Sequence, residues 1–187
     1  MKPNYKKIIQ MLNYFAECNG GKIEKIKAYK LMWLSDRYHL RQYGRMISDD
    51  TYYAMPHGSV PSTAKDMLDG NVIVNINPNE YISIINNNNY KTIKEPKLKV
   101  FSQTDRDTLS LIFDKYSGLS YKELSEVSHQ FPEWVRFEDE IKNPKNKSSH
   151  KIRVIDFFEN VDDESGLFVD DDELIEITKQ LYSEMIQ

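Results

Sequence analysis

The chain has 187 residues with a formal net charge of −4, 40% apolar and 29% charged side chains. That apolar content suits one packed domain and excludes wholesale disorder; seven glycines and seven prolines exclude collagen-like classes, and no apolar run is long enough for a membrane-spanning helix. The single cysteine, Cys18, excludes an intramolecular disulfide and a multi-cysteine metal site, and an amphipathic rather than unbroken apolar start predicts a cytoplasmic protein without a secretory signal.

The first helix is read over residues 5–18, where Ile8, Leu12, Phe15 and Ala16 recur at helical spacing and Gly20-Gly21 stop the pattern. A second is expected from about Ile23 to Tyr43. Ala28, Leu31, Leu34, Ser35 and Tyr38 share one side of it, and Trp33 and Leu40 widen the apolar surface, so it reads as a central buried helix ending at Gly44. Thr51–Met55 is β-like. His57-Gly58-Ser59-Val60-Pro61 reads as a turn, with Pro61 opening a short helix that Gly70 ends. Three short segments, Val72–Ile76, Tyr81–Ile85 and Tyr90–Ile93, then predict an antiparallel meander with asparagine-rich turns.

Helices return after Phe101. One opens at Thr104–Asp107 and ends at Gly118, and a capping box, Ser120-Tyr121-Lys122-Glu123, starts the next, which Pro132 breaks. Residues 143–149 read as a linker. A last helix begins near Asp170–Glu173 and presents Leu174, Ile177, Leu181 and Met185 on one stripe. The fold class expected is therefore α+β and mostly α-helical: a helical domain around a central buried helix, with a small antiparallel β-meander.

Charge is unevenly spread. Residues 1–47 hold ten Lys/Arg against three Asp/Glu, whereas residues 155–187 hold eleven acids and one lysine. A basic first part can meet nucleic acid or an acidic partner, or the two ends can answer each other within the fold. Catalytic chemistry is thin. His39, His57, His129 and His150 do not pair at metal-binding helical spacing, no nucleophile-elbow, P-loop or dinucleotide pattern occurs, and Cys18 sits at a helix C-terminal end, where the dipole disfavours a thiolate. No catalytic residue, metal site or cofactor is assigned, and the protein is not expected to be an enzyme. A metal enzyme built on His39, His57 and His129 is the competing possibility that metal analysis would test.

The informative stretch is Lys30–Leu68. Tyr38-His39-Leu40-Arg41-Gln42-Tyr43-Gly44-Arg45 combines rings, cations and donors, and tyrosine with arginine is typical of interface anchors. Lys30-Leu31-Met32-Trp33-Leu34-Ser35-Asp36-Arg37 followed by His39-Leu40 and Tyr43-Gly44-Arg45, then Tyr52–Met55, His57-Gly58-Ser59-Val60-Pro61, and Leu124-Ser125-Glu126-Val127-Ser128-His129 with Pro132 and Trp134, resembles the Panacea or SocA-like antitoxin domain, a family once uncharacterised and phage-associated. The likeness covers about residues 5–140. Met46 and Ser59 stand where that family usually has proline, and the fused DNA-binding domain of some members is not seen.

The resemblance implies an antitoxin that neutralises a cognate toxin by direct binding, with presentation of the toxin to an ATP-dependent protease as one route. Residues 1–143 are assigned to the Panacea-like domain, and 144–187 to a linker and acidic helical segment packed on it. The expected partner-facing residues are Arg37, His39, Arg41, Tyr43, Arg45 and His57, and charge reversal at Arg41 and Arg45 is expected to abolish neutralisation with the fold intact. The alternative is a nucleic-acid-binding regulator of winged-helix-like layout; nucleic acid is otherwise not an expected partner, nor is a membrane.

Overall fold

A computed structural model describes residues 2–71, 77–143, 145–146 and 148–186. The first helix, α1 (Tyr5–Cys18), is capped by the Asn4 side chain, which accepts from the Lys7 amide at 3.2 Å. It buries Ile8, Met11, Leu12, Phe15 and Ala16. A three-residue strand, β1 (Lys22–Glu24), then precedes α2 (Lys25–Tyr43). The central helix therefore starts two residues later than its apolar pattern predicts, because Ile23 is drawn into a ladder opposite Tyr90.

Helix α2 is buried along nearly its whole length, including Leu31, Met32, Trp33, Leu34 and Leu40. It ends as expected at Gly44, whose φ of +69° is the left-handed conformation that lets its N–H reach the Leu40 carbonyl at 2.9 Å.

Strands β2 (Tyr52–Met55) and β3 (Gly58–Pro61) form a hairpin, with Tyr52 opposite Pro61 and Met55 opposite Gly58. Here the expectation of a five-residue turn is corrected. Gly58, at φ +87°, reverses the chain within two residues, so Gly58–Pro61 is itself a strand and Pro61 is its last residue. Helix α3 (Ser62–Leu68) follows.

Strands β4 (Ile82–Ile84) and β5 (Asn89–Thr92) form the predicted hairpin, its tip held by the Asn86 side chain, which accepts from the amides of Asn88 and Asn89 at 2.9 Å. The sheet order is β1-β5-β4, so β1 flanks the hairpin on one side, which the sequence did not suggest; the expected strand Val72–Ile76 lies outside the described residues.

Two capping boxes start α4 (Gln103–Tyr116) and α5 (Tyr121–Ser128), through Ser102 with Asp105 and Ser120 with Glu123. Pro132 begins a further turn, α6 (Pro132–Val135), before α7 (Glu138–Lys142). Strand β6 (His150–Lys151) pairs with β2, giving a second three-stranded sheet in the order β3-β2-β6. The last helix is α8 (Asp172–Met185). Helices α1, α3, α4, α5 and α8 and strand β3 all pack on α2, so the fold is α+β, mostly helical and centred on that helix.

Candidate partner-binding site

The second half of α2 carries four of the six predicted site residues, Arg45 follows just past its end, and burial divides them. Arg37 is fully buried between the rings of Phe131 and Phe168, its guanidinium carbon 4.6 and 5.0 Å from their centroids. Its Nε donates to Glu133 Oε1 at 3.1 Å and its Nη2 to the Glu159 carbonyl at 2.7 Å. Glu133 Oε1 also accepts from Trp33 Nε1 at 2.9 Å. Burial pulls the Arg37 pKa down and the Glu133 pKa up, and each charge opposes the other's shift.

One helical turn later, Arg41 is also fully buried. Its Nε donates to Asp170 Oδ2 at 2.8 Å, Nη1 to the Glu159 carbonyl at 2.8 Å, and Nη2 to Asn160 Oδ1 at 2.5 Å. Gln42 adds a bond from Nε2 to Asp170 Oδ1 at 2.7 Å. Two arginines at i and i+4 thus strap residues 157–170 to the central helix. Guanidinium suits this task because it presents several donors in one rigid plane to carbonyls and carboxylates.

His39, on another face, is buried too. Its Nδ1 lies 2.8 Å from the Arg45 carbonyl, which can only accept, so the proton of the neutral ring sits on Nδ1. Nε2 then accepts from the Thr104 hydroxyl at 3.1 Å. Burial, reinforced by the Arg45 and Lys7 charges, pushes the pKa of His39 down to about 4, against the pull of the Arg45 carbonyl and Asp105. Asp105 completes the cluster, accepting from Lys7 Nζ at 2.6 Å and from an Arg45 Nη2 at 2.8 Å. Burial works against its ionisation, but those donors and the Ser102 amide outweigh it and hold its pKa low.

Asp36 performs the same kind of task on the next loop. Its carboxylate accepts from the amides of Ile47 (2.7 Å) and Ser48 (2.9 Å), the Tyr52 hydroxyl (2.8 Å) and the Ser48 hydroxyl. Burial nonetheless raises its pKa to about 6.

Burial sorts the expected partner-facing residues into two groups. Arg37, His39 and Arg41 face inward, because each has acceptors inside the fold that offset its desolvation; of the six residues, Tyr43 and His57 are exposed and Arg45 is half-buried. Tyr43 packs on His39, ring centroids 4.6 Å apart. His57 lies on the β2–β3 turn. That turn and the segment 124–134 meet over Lys30: Lys30 Nζ donates to the Ser59 carbonyl at 2.8 Å, His129 stacks on Trp134 at 3.8 Å, and Trp134 Nε1 donates to the Met55 carbonyl at 2.9 Å. Complete burial holds the Lys30 pKa well below the usual amine range. The three sequence fragments that looked related are therefore one packed unit. Among the described residues, no group of three or more His, Cys, Asp or Glu is placed to hold a metal ion.

The surface beside Tyr43 is supplied by α8, a contribution sequence reasoning left unplaced. Leu181 lies against Gly44, so close that a Cβ on the glycine would stand 2.7 Å from the leucine Cβ. Ile175 and Thr178 of α8 are buried, but the stripe beside them is open: Ile177 is 52% exposed, Leu181 45%, Met185 49% and neighbouring Tyr43 43%. The doubled apolar width of α8, Ile175 beside Leu174 and Ile177, was the signal that one helix serves two faces.

A family model described as the antitoxin SocA-like Panacea domain matches residues 29–135. No curated protein matches the chain, and no solved structure does. The match begins in α2 and ends in α6, so residues 157–170 and α8 lie beyond it, although matched residues hold them in place. Among the described residues no helix is long and apolar enough to cross a membrane.

Proposed function

The chain belongs to the SocA-like family of Panacea domains, and from that premise we propose that it is an antitoxin, one that neutralises a cognate toxin by stoichiometric binding. The observation that supports this reading is the half-exposed apolar surface formed by Tyr43 at the end of the family's signature helix and by Ile177, Leu181 and Met185 of α8, which packs on it. Monomeric proteins seldom leave such a surface open without a partner for it. In this reading Arg37, His39 and Arg41 are positioning residues, and Tyr43, Arg45 and His57 are reachable by the toxin. Handing the bound toxin to an ATP-dependent protease is the proposed route of disposal.

The test is capture of the tagged chain from its native host. One small protein recovered near equal stoichiometry, and toxic when expressed without this chain, supports the reading; its absence overturns it. Persistence of the captured toxin at unchanged abundance in a protease-deficient host would remove the proteolytic route while keeping the binding one.

A second reading, a nucleic-acid-binding regulator, is favoured by one observation. Exposed Lys22 and Lys91 stand directly opposite each other across β1 and β5, an unfavourable pairing that a polyanion would relieve. Binding of a DNA duplex whose affinity falls steeply with added salt would support it; no binding at low salt would discard it.

A further inference from the structure

We infer that the outer face of α8 is a docking surface for an amphipathic helix whose apolar seam is flanked by lysine or arginine. This rests on the antitoxin reading only in naming the toxin as the bearer of that helix. Ile177, Leu181 and Met185 recur at i, i+4 and i+8, so they form one line along the helix. From Ile177 to Met185 that line is about 12 Å long, at ~1.5 Å per residue. Each of the three is about half exposed, whereas Ile175 and Thr178 on the adjoining face are buried. The inner face therefore anchors the helix and the outer face is free. Leu181 rests on Gly44, which keeps the line in fixed register with Tyr43 at its side.

Charge selects the occupant. Exposed Glu173, one turn before Ile177, and Glu184, three residues after Leu181, border the line, while the one lysine, Lys179, lies on another side of the helix and is paired with Glu176 at 3.2 Å. Flanking charges decide which helices pair along an apolar seam. A second copy of α8 would bring acid against acid, and an anionic lipid surface would meet the same repulsion. A helix with basic flanks would bury its apolar seam and pair its cations at once.

The test uses two model peptides with the same leucine seam, one flanked by lysines and the other by glutamates, titrated against the full chain by fluorescence anisotropy. The lysine peptide should bind at least tenfold more tightly, weakening as salt rises. Ile177→Asp with Met185→Asp should abolish binding, and Glu173→Lys with Glu184→Lys, which alters only exposed side chains, should reverse the preference with the circular dichroism spectrum unchanged. Equal binding of both peptides, or lysine-peptide binding that survives Ile177→Asp with Met185→Asp, would overturn the inference. So would a dimer in sedimentation that Ile177→Asp disperses, or equally tight binding to anionic phosphatidylglycerol vesicles. A toxin captured with unaltered affinity by the charge-reversed chain would reject this face while leaving the antitoxin reading standing. A selective peptide response without any captured toxin would do the opposite.

Discussion

Arg41 Nε donates to Asp170 Oδ2 at 2.8 Å across 129 positions of sequence. Through that bond and its neighbours, a residue inside the family-matched region holds a segment outside it. The connection changes what mutagenesis of the signature helix reports. Charge reversal at Arg41 and Arg45, expected from sequence to leave the fold intact, instead places a carboxylate among the carbonyls of Glu159 and Phe157 and beside Asp170.

Arg41→Ala should therefore destabilise the protein by about 3–5 kcal/mol, the range for a buried ion pair broken from one side. Urea unfolding would measure the loss, and limited proteolysis should begin within residues 157–170. Asp170→Asn keeps an acceptor for the guanidinium and should cost about 1 kcal/mol, the scale of one hydrogen bond.

Gly44→Ala should cost about 1–3 kcal/mol, because its Cβ would stand 2.7 Å from Leu181 Cβ and 3.1 Å from the Thr178 carbonyl at a left-handed φ. Thermal unfolding of Gly44→Ala, Leu181→Gly and the double variant would separate the two causes. The double variant should be more stable than the sum of the single losses predicts, because removing the Leu181 Cβ relieves that overlap but not the backbone strain.

Gly58→Ala should be more severe. The added carbon would overlap Ser128 Oγ and stand 2.6 Å from the buried Lys30 Nζ, again at positive φ. Expected is a loss of at least about 3 kcal/mol, the scale of a strongly overpacked site, read as a lowered urea midpoint or as insoluble expression.

His39 and Asp36 should oppose each other in acid. The His39 pKa lies near 4 in the fold against an ordinary 6.5, so between those values the unfolded chain binds a proton that the native one does not, and stability falls as pH drops. Asp36, raised to about 6 from 3.8, acts in the reverse sense: the native state takes up the proton first, and stability rises as pH drops from 6 toward 4. His39→Gln should remove the first effect. Relative to the parent, it should gain on the order of 3 kcal/mol between pH 7 and pH 4.5, the limit set by ~2.5 pKa units. Denaturant unfolding at the two pH values checks this, and an unchanged difference would mean that His39 is protonated in the native state.

Much of the fold was legible in local patterns. The apolar periodicity of residues 5–18 and 25–43, the glycine stop at 44, the Ser120–Glu123 capping box and the asparagine tip of the second hairpin each act within a few residues, so sequence alone carries them. The candidate site was legible only in part. Tyr38–Arg45 stood out as a cluster of rings and cations, but composition does not say whether an arginine meets water or a carbonyl. That depends on Phe131, Glu133, Glu159 and Asp170, which lie about a hundred positions away.

By itself, then, the sequence determined the main helices, several of their ends, the second hairpin and the family. Short-range hydrogen bonding and apolar spacing suffice for the elements, and the spacing of Lys30, His57-Gly58, Ser128-His129 and Trp134 carries the likeness. Tertiary structure alone decided that Arg37, His39 and Arg41 face inward, that Ile23 joins a strand, and that α8 turns Ile175 to the core and Ile177, Leu181 and Met185 to water. Each of those outcomes compares the desolvation of a side chain with contacts supplied by distant parts of the chain, and no local window contains both sides of that comparison.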